Sequence, residues 1–197
     1  MRSTLFLAAL AAAGIGLAVA QARAPTPATA KPAALSDNLP IPDAPAPAVS
    51  KAWLVMDYAT GQVLAGENVD SPVEPASITK VMTSYVIAAE MAAGKIKPTD
   101  PVMMTEYAWR TGGAGTDGSY SGFEVNKTAP LLEMEKGMVV QSGNDAAIAL
   151  AEHVAGSEAA FAQLMNAYAK KIGMTKSNFV NPHGLPAEGH VPTARDL

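Results

Sequence analysis

The chain contains no cysteine, so no disulfide framework is available and the folded part must be held together by its apolar core. Charge is also scarce. Asp, Glu, Lys and Arg make up 16% of the residues, the formal net charge is −4, and no basic cluster exceeds pairs such as Lys170-Lys171. That balance excludes a phosphate-backbone partner, and no nucleic acid is expected. The apolar runs fall short of the roughly 20 residues a spanning helix needs. No HExxH-like pairing occurs: His183 and His190 lie in a polar loop and His153 in a helical stretch, so structural or solvent roles are expected and no metal or other cofactor is implied. The acidic residues form no evident catalytic pair.

What remains is a 197-residue chain with 49% apolar residues, enough for one domain with a substantial core. Arg2, the uncharged Ala/Leu run from Leu5 to Val19 and the small-x-small site Ala18-Val19-Ala20 read as a secretory signal over residues 1–20, with a mature chain starting near Gln21. Residues 21–48 are rich in Pro and Ala, including Pro25, Pro27, Pro32, Pro40, Pro42, Pro45 and Pro47, a composition that favours extended, solvated backbone and reads as a linker. Residues 49–197 are left for the folded domain.

Within them, Ala52 to Tyr58 and Gln62 to Ala65 flank the turn Ala59-Thr60-Gly61, which predicts a β-hairpin. Ser77 to Ala93 lacks Gly and Pro, carries Ile78, Val81, Met82, Tyr85, Val86 and Ala89 at helical spacing and ends at Gly94, so Ser77 is expected to open a helix. Thr111 to Gly122 is expected to be a loop, because its glycines leave little side chain to pack. A phosphate-cradling role for it is discounted, since no strand and helix flank it. Further helices are expected over 131–140 despite Gly137, over 145–154, and over 157–172, where Gly173 ends the chain segment.

Two motifs carry chemistry. Ser77-Ile78-Thr79-Lys80 places a hydroxyl and an amine three positions apart, on one helix face with Cβ atoms roughly 5–6 Å apart, the arrangement of a serine activated by an adjacent base. At a helix N-terminus, free N–H groups and the macrodipole also favour an alkoxide or a substrate oxyanion. The plainer reading is an N-cap serine with a surface lysine one turn on. Ser142-Gly143-Asn144, a polar corner between apolar helices, can present a hydroxyl for proton relay and a carboxamide for a substrate amide. Its plainer reading is a loop in which Asn144 caps the next helix.

The longer stretches Met56-Asp57-Tyr58-Ala59-Thr60-Gly61, Pro75-Ala76-Ser77-Ile78-Thr79-Lys80-Val81-Met82-Thr83-Ser84-Tyr85, Gln141-Ser142-Gly143-Asn144-Asp145-Ala146, Asn181-Pro182-His183-Gly184-Leu185 and Thr193-Ala194-Arg195-Asp196-Leu197 stand in order along the chain. Through them the sequence resembles the low-molecular-mass penicillin-binding proteins, the serine D-alanyl-D-alanine carboxypeptidases, from about Lys51 to Leu197. The resemblance implies an α+β fold of the penicillin-binding and β-lactamase type, with a helical lobe and an antiparallel sheet. It also implies a two-step acyl transfer. Ser77 would be the nucleophile, Lys80 its base, and Ser142 the proton relay to the leaving amine; Asn144 would hold the substrate. The partners implied are peptidoglycan stem peptides ending in D-Ala-D-Ala and the β-lactams that mimic them.

The family's third motif, Lys-Thr-Gly or Lys-Ser-Gly, is absent, and Lys127-Thr128 is followed by Ala129. That motif would supply the cation that lowers the pKa of Lys80 and binds the substrate carboxylate, and a strand that gives a second oxyanion donor. The 197 residues are therefore expected to be the N-terminal part of a longer protein, with membrane association confined to an absent C-terminal region. Export implies a place in the periplasm or on the outer face of the cytoplasmic membrane. Two rival functions remain. A class A β-lactamase would carry Ser-Asp-Asn and Glu-x-x-Leu-Asn, but position 143 is Gly. A non-catalytic muropeptide-binding module is the other.

Overall fold

A computed structural model describes residues 49–113 and 115–197; the expected signal over 1–20 and linker over 21–48 lie outside the described residues. Strands β1 (Trp53–Met56) and β2 (Val63–Glu67) form the expected antiparallel hairpin, in register from Trp53 opposite Glu67 to Val55 opposite Ala65, with a bulge after Val55. Its turn is closed by Asp57, whose Oδ1 accepts from both the backbone N–H and the hydroxyl of Thr60 at 2.8 and 2.6 Å, and by Gly61 at φ +72°, a left-handed position that Gly occupies without a Cβ clash.

A 3₁₀ turn, Ala76–Ile78, then leads into α1 (Thr79–Ala92). Ser77 thus stands in the turn before the α-helix instead of opening it. Strand β3 (Pro101–Met103) pairs with β4 (Thr128–Pro130) across the intervening residues 104–127, forming a second antiparallel ribbon where one hairpin was expected. Strands of three residues bounded by proline are too short to show alternation. Helix α2 (Glu106–Gly112) is also additional. Thr105 caps it by accepting from Ala108 N–H at 3.0 Å, satisfying one of the orphan donors of its first turn.

Helices α3 (Leu131–Val140), α4 (Asn144–Ala155) and α5 (Glu158–Lys171) lie within a residue or so of expectation. The centre is α4, buried at every position from Asn144 to Ala151 and packed against α1, α2, α3 and α5. Its alanines let neighbouring helices come close, while Ile148 and Leu150, fully buried, each contribute roughly 1.5–3 kcal/mol by leaving water. Met134, Met138, Phe161, Met165 and Phe179 complete the core around it. The C-terminal segment is fastened to the segment before the 3₁₀ turn: Val73 N–H donates to Pro192 O, Arg195 N–H to Val69 O, and the Arg195 guanidinium grips Asp70 at 2.8 and 2.9 Å.

Candidate active site

Three segments far apart in sequence meet at Ser77: the 3₁₀ turn with α1, the corner between α3 and α4, and the loop that follows α5. Each is held by local constraints. Ala76 and Ser142 both have positive φ, +49° and +57°. Non-glycine residues adopt that conformation only where surrounding contacts enforce it. Ala76 packs directly against Gly184: a Cβ there would lie 1.8 Å from the Ala76 carbonyl oxygen, and Gly184 itself is at φ +92°. At the corner, Gly143 leaves no room for a side chain, since a Cβ would meet Ser121 at 2.8 Å.

The glycine-rich stretch that begins with the last residue of α2, Gly112, is accordingly a packing element and not merely a loop short of side chains. A Cβ at Gly112 would strike Asp145 N at 2.5 Å, and one at Gly118 would strike Asn144 Nδ2 at 2.6 Å. Ser119 O accepts from Asn144 N–H at 2.8 Å, and the buried Asp145 carboxylate accepts from Ser121 N–H and Ser121 Oγ, both at 2.7 Å. Asp145 and Ser121 were not legible as site residues. Nothing in the sequence marks one buried carboxylate among ordinary acidic residues.

These constraints bring all four sequence-named residues together. Lys80 Nζ lies 3.2 Å from Ser77 Oγ, and Ser142 Oγ donates to Ser77 Oγ at 2.9 Å. Lys80 Nζ also donates to Asn144 Oδ1 at 2.7 Å and to the His183 carbonyl at 2.9 Å. Both plainer readings fail on this geometry. Lys80 is only 6% exposed, so it is not a surface lysine, and neither Ser77 nor Asn144 caps a helix with its side chain.

Burial pulls the Lys80 amine down to about 8, while the negative charge of Asp145 pushes it back up. Within this chain the lowering agent is therefore desolvation, which disfavours the ammonium. A neutral amine has two N–H bonds and one lone pair. Asn144 Oδ1 and the His183 carbonyl take the two N–H bonds, which leaves the lone pair to face Ser77 Oγ. The hydroxyl proton of Ser77 has an acceptor, and its oxygen is further polarised by Ser142.

His183 enters this arrangement through its backbone, where the sequence reading gave it a structural or solvent role. Its loop is stapled to α1 by Thr83 Oγ1 donating to Pro182 O at 2.7 Å and by Thr79 Oγ1 with His190 Nε2 at 3.0 Å. His190 Nδ1 accepts from Val180 N–H, so the neutral ring carries its proton on Nε2 and donates to Thr79. Beside Ser77 a cleft of about 300 Å³ is lined by Lys80, Val81, Ser84, Met138, Val139 and Ser142. The larger concavity of about 830 Å³ lies against β1, lined among others by Trp53, Leu54, Met56 and Leu197, and holds none of the four residues.

A mostly helical α+β domain with a serine flanked by a buried lysine and a second serine is the architecture of the serine penicillin-binding proteins. The sequence pattern of D-alanyl-D-alanine carboxypeptidases, peptidase family S11, matches residues 41–197, and the chain belongs to that family. It is 49% identical over 154 residues to the D-alanyl-D-alanine carboxypeptidase DacC of Escherichia coli, covering 77% of this chain and 38% of that protein. To DacA of the same organism it is 42% identical over 149 residues, covering 75% of this chain and 37% of the relative. Penicillin binding protein 5 from Haemophilus influenzae superimposes with a TM-score of 0.71 at 38% identity, covering 78% of this chain and 44% of that one. The chain thus spans under two fifths of the length of these two carboxypeptidases.

Proposed function

We propose that this chain carries the acylating half of a serine DD-carboxypeptidase, exported and acting on peptidoglycan stem peptides that end in D-Ala-D-Ala. The observation that carries the proposal is the placement of the buried Lys80 Nζ, 3.2 Å from Ser77 Oγ and held by Asn144 Oδ1 and the His183 carbonyl, so that the neutral amine can turn its lone pair to Ser77. In the first step Lys80 takes the Ser77 proton as Oγ adds to the carbonyl carbon of the penultimate D-Ala. Oxyanion charge is met by the Ser77 N–H at the start of the helical segment. The C–N bond then breaks, and the leaving amine receives a proton through Ser142, which is hydrogen-bonded to Ser77 Oγ. An ester on Ser77 and free D-Ala result. Water, deprotonated by Lys80, adds to the ester and releases the shortened peptide, restoring the Ser77 hydroxyl.

Asn144 serves two ends in this scheme: Oδ1 orients the lysine, and Nδ2 is the donor for a substrate carbonyl. β-Lactams enter by the same route and stop at the ester, because the cleaved amide nitrogen stays tethered to the acyl group. The full cycle, the periplasmic or outer-face location and the substrate belong to this proposal. Position 143 is Gly, against the Asp of Ser-Asp-Asn β-lactamases. The test is the intact mass of the chain after exposure to benzylpenicillin, beside Ser77→Ala. The expected result is one adduct with the mass of the intact drug, lost in the variant. No adduct on the parent chain, while D-Ala-D-Ala peptides still bind, would instead identify a muropeptide-binding module.

A further inference from the structure

The scheme above uses the His183 carbonyl and leaves its side chain unexplained. That side chain is buried, 7% exposed, and its Nε2 lies 3.9 Å from Oε2 of Glu158. Glu158 stands in the first turn of α5, directly after the cap Ser157, and is itself 17% exposed. Its other oxygen, Oε1, is buried without a hydrogen-bond partner among the described residues, a condition that costs free energy.

The imidazole has a defined tautomer. His183 Nδ1 accepts from Leu185 N–H at 3.1 Å, so the neutral ring carries its proton on Nε2, the nitrogen that faces Glu158. The turn around it is short and closed, since Gly184 N–H donates to Asn181 Oδ1 at 2.7 Å and Asn181 Nδ2 donates to Leu185 O at 2.9 Å. A turn tied at both ends moves as one piece. A pull on the His183 ring therefore moves the His183 carbonyl, which receives the Lys80 N–H.

We propose that Glu158 is a positioning residue for Lys80, acting through His183: its carboxylate draws the imidazole N–H toward α5 and so sets where the His183 carbonyl stands against Nζ. The proposal rests on the acyl-transfer reading, because that carbonyl matters only if the Lys80 lone pair must face Ser77. The charged and titratable groups around the pair come from every neighbouring element. Glu152 of α4 and Tyr107 of α2 face Glu158, and Lys80 and His190 face His183. Burial first and Glu152 second push the Glu158 carboxyl up to about 6, while burial holds the His183 imidazole down to about 4. Near neutral pH the pair is carboxylate and neutral ring. Below about 6 the carboxyl gains a proton and its hold on the ring N–H is lost.

The test compares the chain with its Glu158→Gln variant, which keeps the volume and removes the charge. Acylation rates by a fluorescent penicillin are followed from pH 5 to 9, and the histidine ring nitrogens are followed by NMR over the same range. The parent should lose rate with a steeper slope below about pH 6, and its His183 ring signals should shift with that midpoint. The variant should lack both features and acylate about tenfold more slowly above pH 7, the size of effect a small misplacement of a catalytic group produces. Its melting temperature at pH 7 should equal or exceed the parent's. The raised carboxyl opposes folding increasingly as pH climbs through the range from the ordinary glutamate value to about 6, and the variant escapes that. Superimposable rate profiles would overturn the proposal, and so would a rate loss matched by a fall in melting temperature with the slope unchanged. If the parent forms no adduct at all, the acyl-transfer reading fails by itself. The NMR midpoint then decides: its absence from the parent, or its persistence in the variant, sinks the Glu158–His183 coupling.

Discussion

Along α1, one side carries Thr79, Lys80, Met82, Thr83, Val86, Ile87 and Glu90, all buried, whereas another carries Val81 and Tyr85, exposed by 69% and 42%. The buried side is the more polar of the two. Burial of a hydroxyl, an amine or a carboxylate is tolerable only with partners, and each of these has one. Thr79 meets His190, Lys80 meets Asn144 and the His183 carbonyl, Thr83 meets the Pro182 carbonyl, and Glu90 meets Lys95 and Tyr168. Half of these partners, His190, His183 and Pro182, come from the loop after α5, so the segment that looks least regular holds the end of the helix that carries Lys80. The exposed apolar side, with Ile78 at the helix start also 57% exposed, adds little to the packing of the described residues.

The most forceful way to break this contrast is to remove the amine. Lys80→Met keeps the length of the side chain and should lower the penicillin acylation rate about 10³-fold, within the range expected for loss of a general base. Its stability should respond to pH in a definite sense. Because the folded-state amine is held down to about 8 from an ordinary 10.5, the burden on the folded state is full below pH 8 and disappears as pH rises toward 10.5. The parent should therefore gain stability relative to the variant over that window, as read by denaturant midpoints at pH 7.5 and 10. Equal pH dependence in both chains would mean that Lys80 is not buried as the structure shows.

A milder pair of changes tests packing alone. Ile87→Ala, on the buried side, should cost about 2–5 kcal/mol, while Val81→Ala, on the exposed side, should stay within about 0.5 kcal/mol. Comparable losses in urea unfolding would show that the two sides do not differ as described.

The same helix shows how far the sequence could be read. Its period was plain, but periodicity grouped Ile78, Val81, Met82, Tyr85, Val86 and Ala89 as one apolar stripe, and of these only Met82 and Val86 are buried. The true inner face could not be read because its polar members are satisfied by residues such as Pro182, His183 and His190, far along the chain, and hydrophobic spacing carries no signal for that. Helices α3, α4 and α5 were legible because their apolar positions and their terminal Gly or Ser agree with each other. Strands β3 and β4 were not, being three residues each and paired across a long intervening segment. Of the site, Ser77, Lys80, Ser142 and Asn144 could be named from motif and resemblance. The engagement of Asn144 with the lysine, the Asp145–Ser121 clamp and the His183 carbonyl could not, because each depends on a backbone approach permitted by glycines whose purpose is visible only in three dimensions.

The finest test concerns the balance of forces on Lys80. Acylation requires the neutral amine, so the rate should rise with pH toward a plateau with a midpoint near 8, where burial and Asp145 leave the lysine. Those two influences oppose each other, and Asp145→Asn separates them. Asparagine is close in shape, its Oδ1 can still accept from Ser121 N–H, and the Ser121 hydroxyl can rotate from donor to acceptor toward the new NH₂ group. The charge that favours the ammonium is lost, and desolvation is left to act alone. The midpoint should then move down by roughly half to one pH unit, so that acylation below pH 7.5 becomes faster than in the parent while the plateau stays where it was. A midpoint that moves up would mean that Asp145 acts mainly by holding the corner at Ser142 and Asn144 in place, and that its charge is too well neutralised by Ser121 to reach the amine.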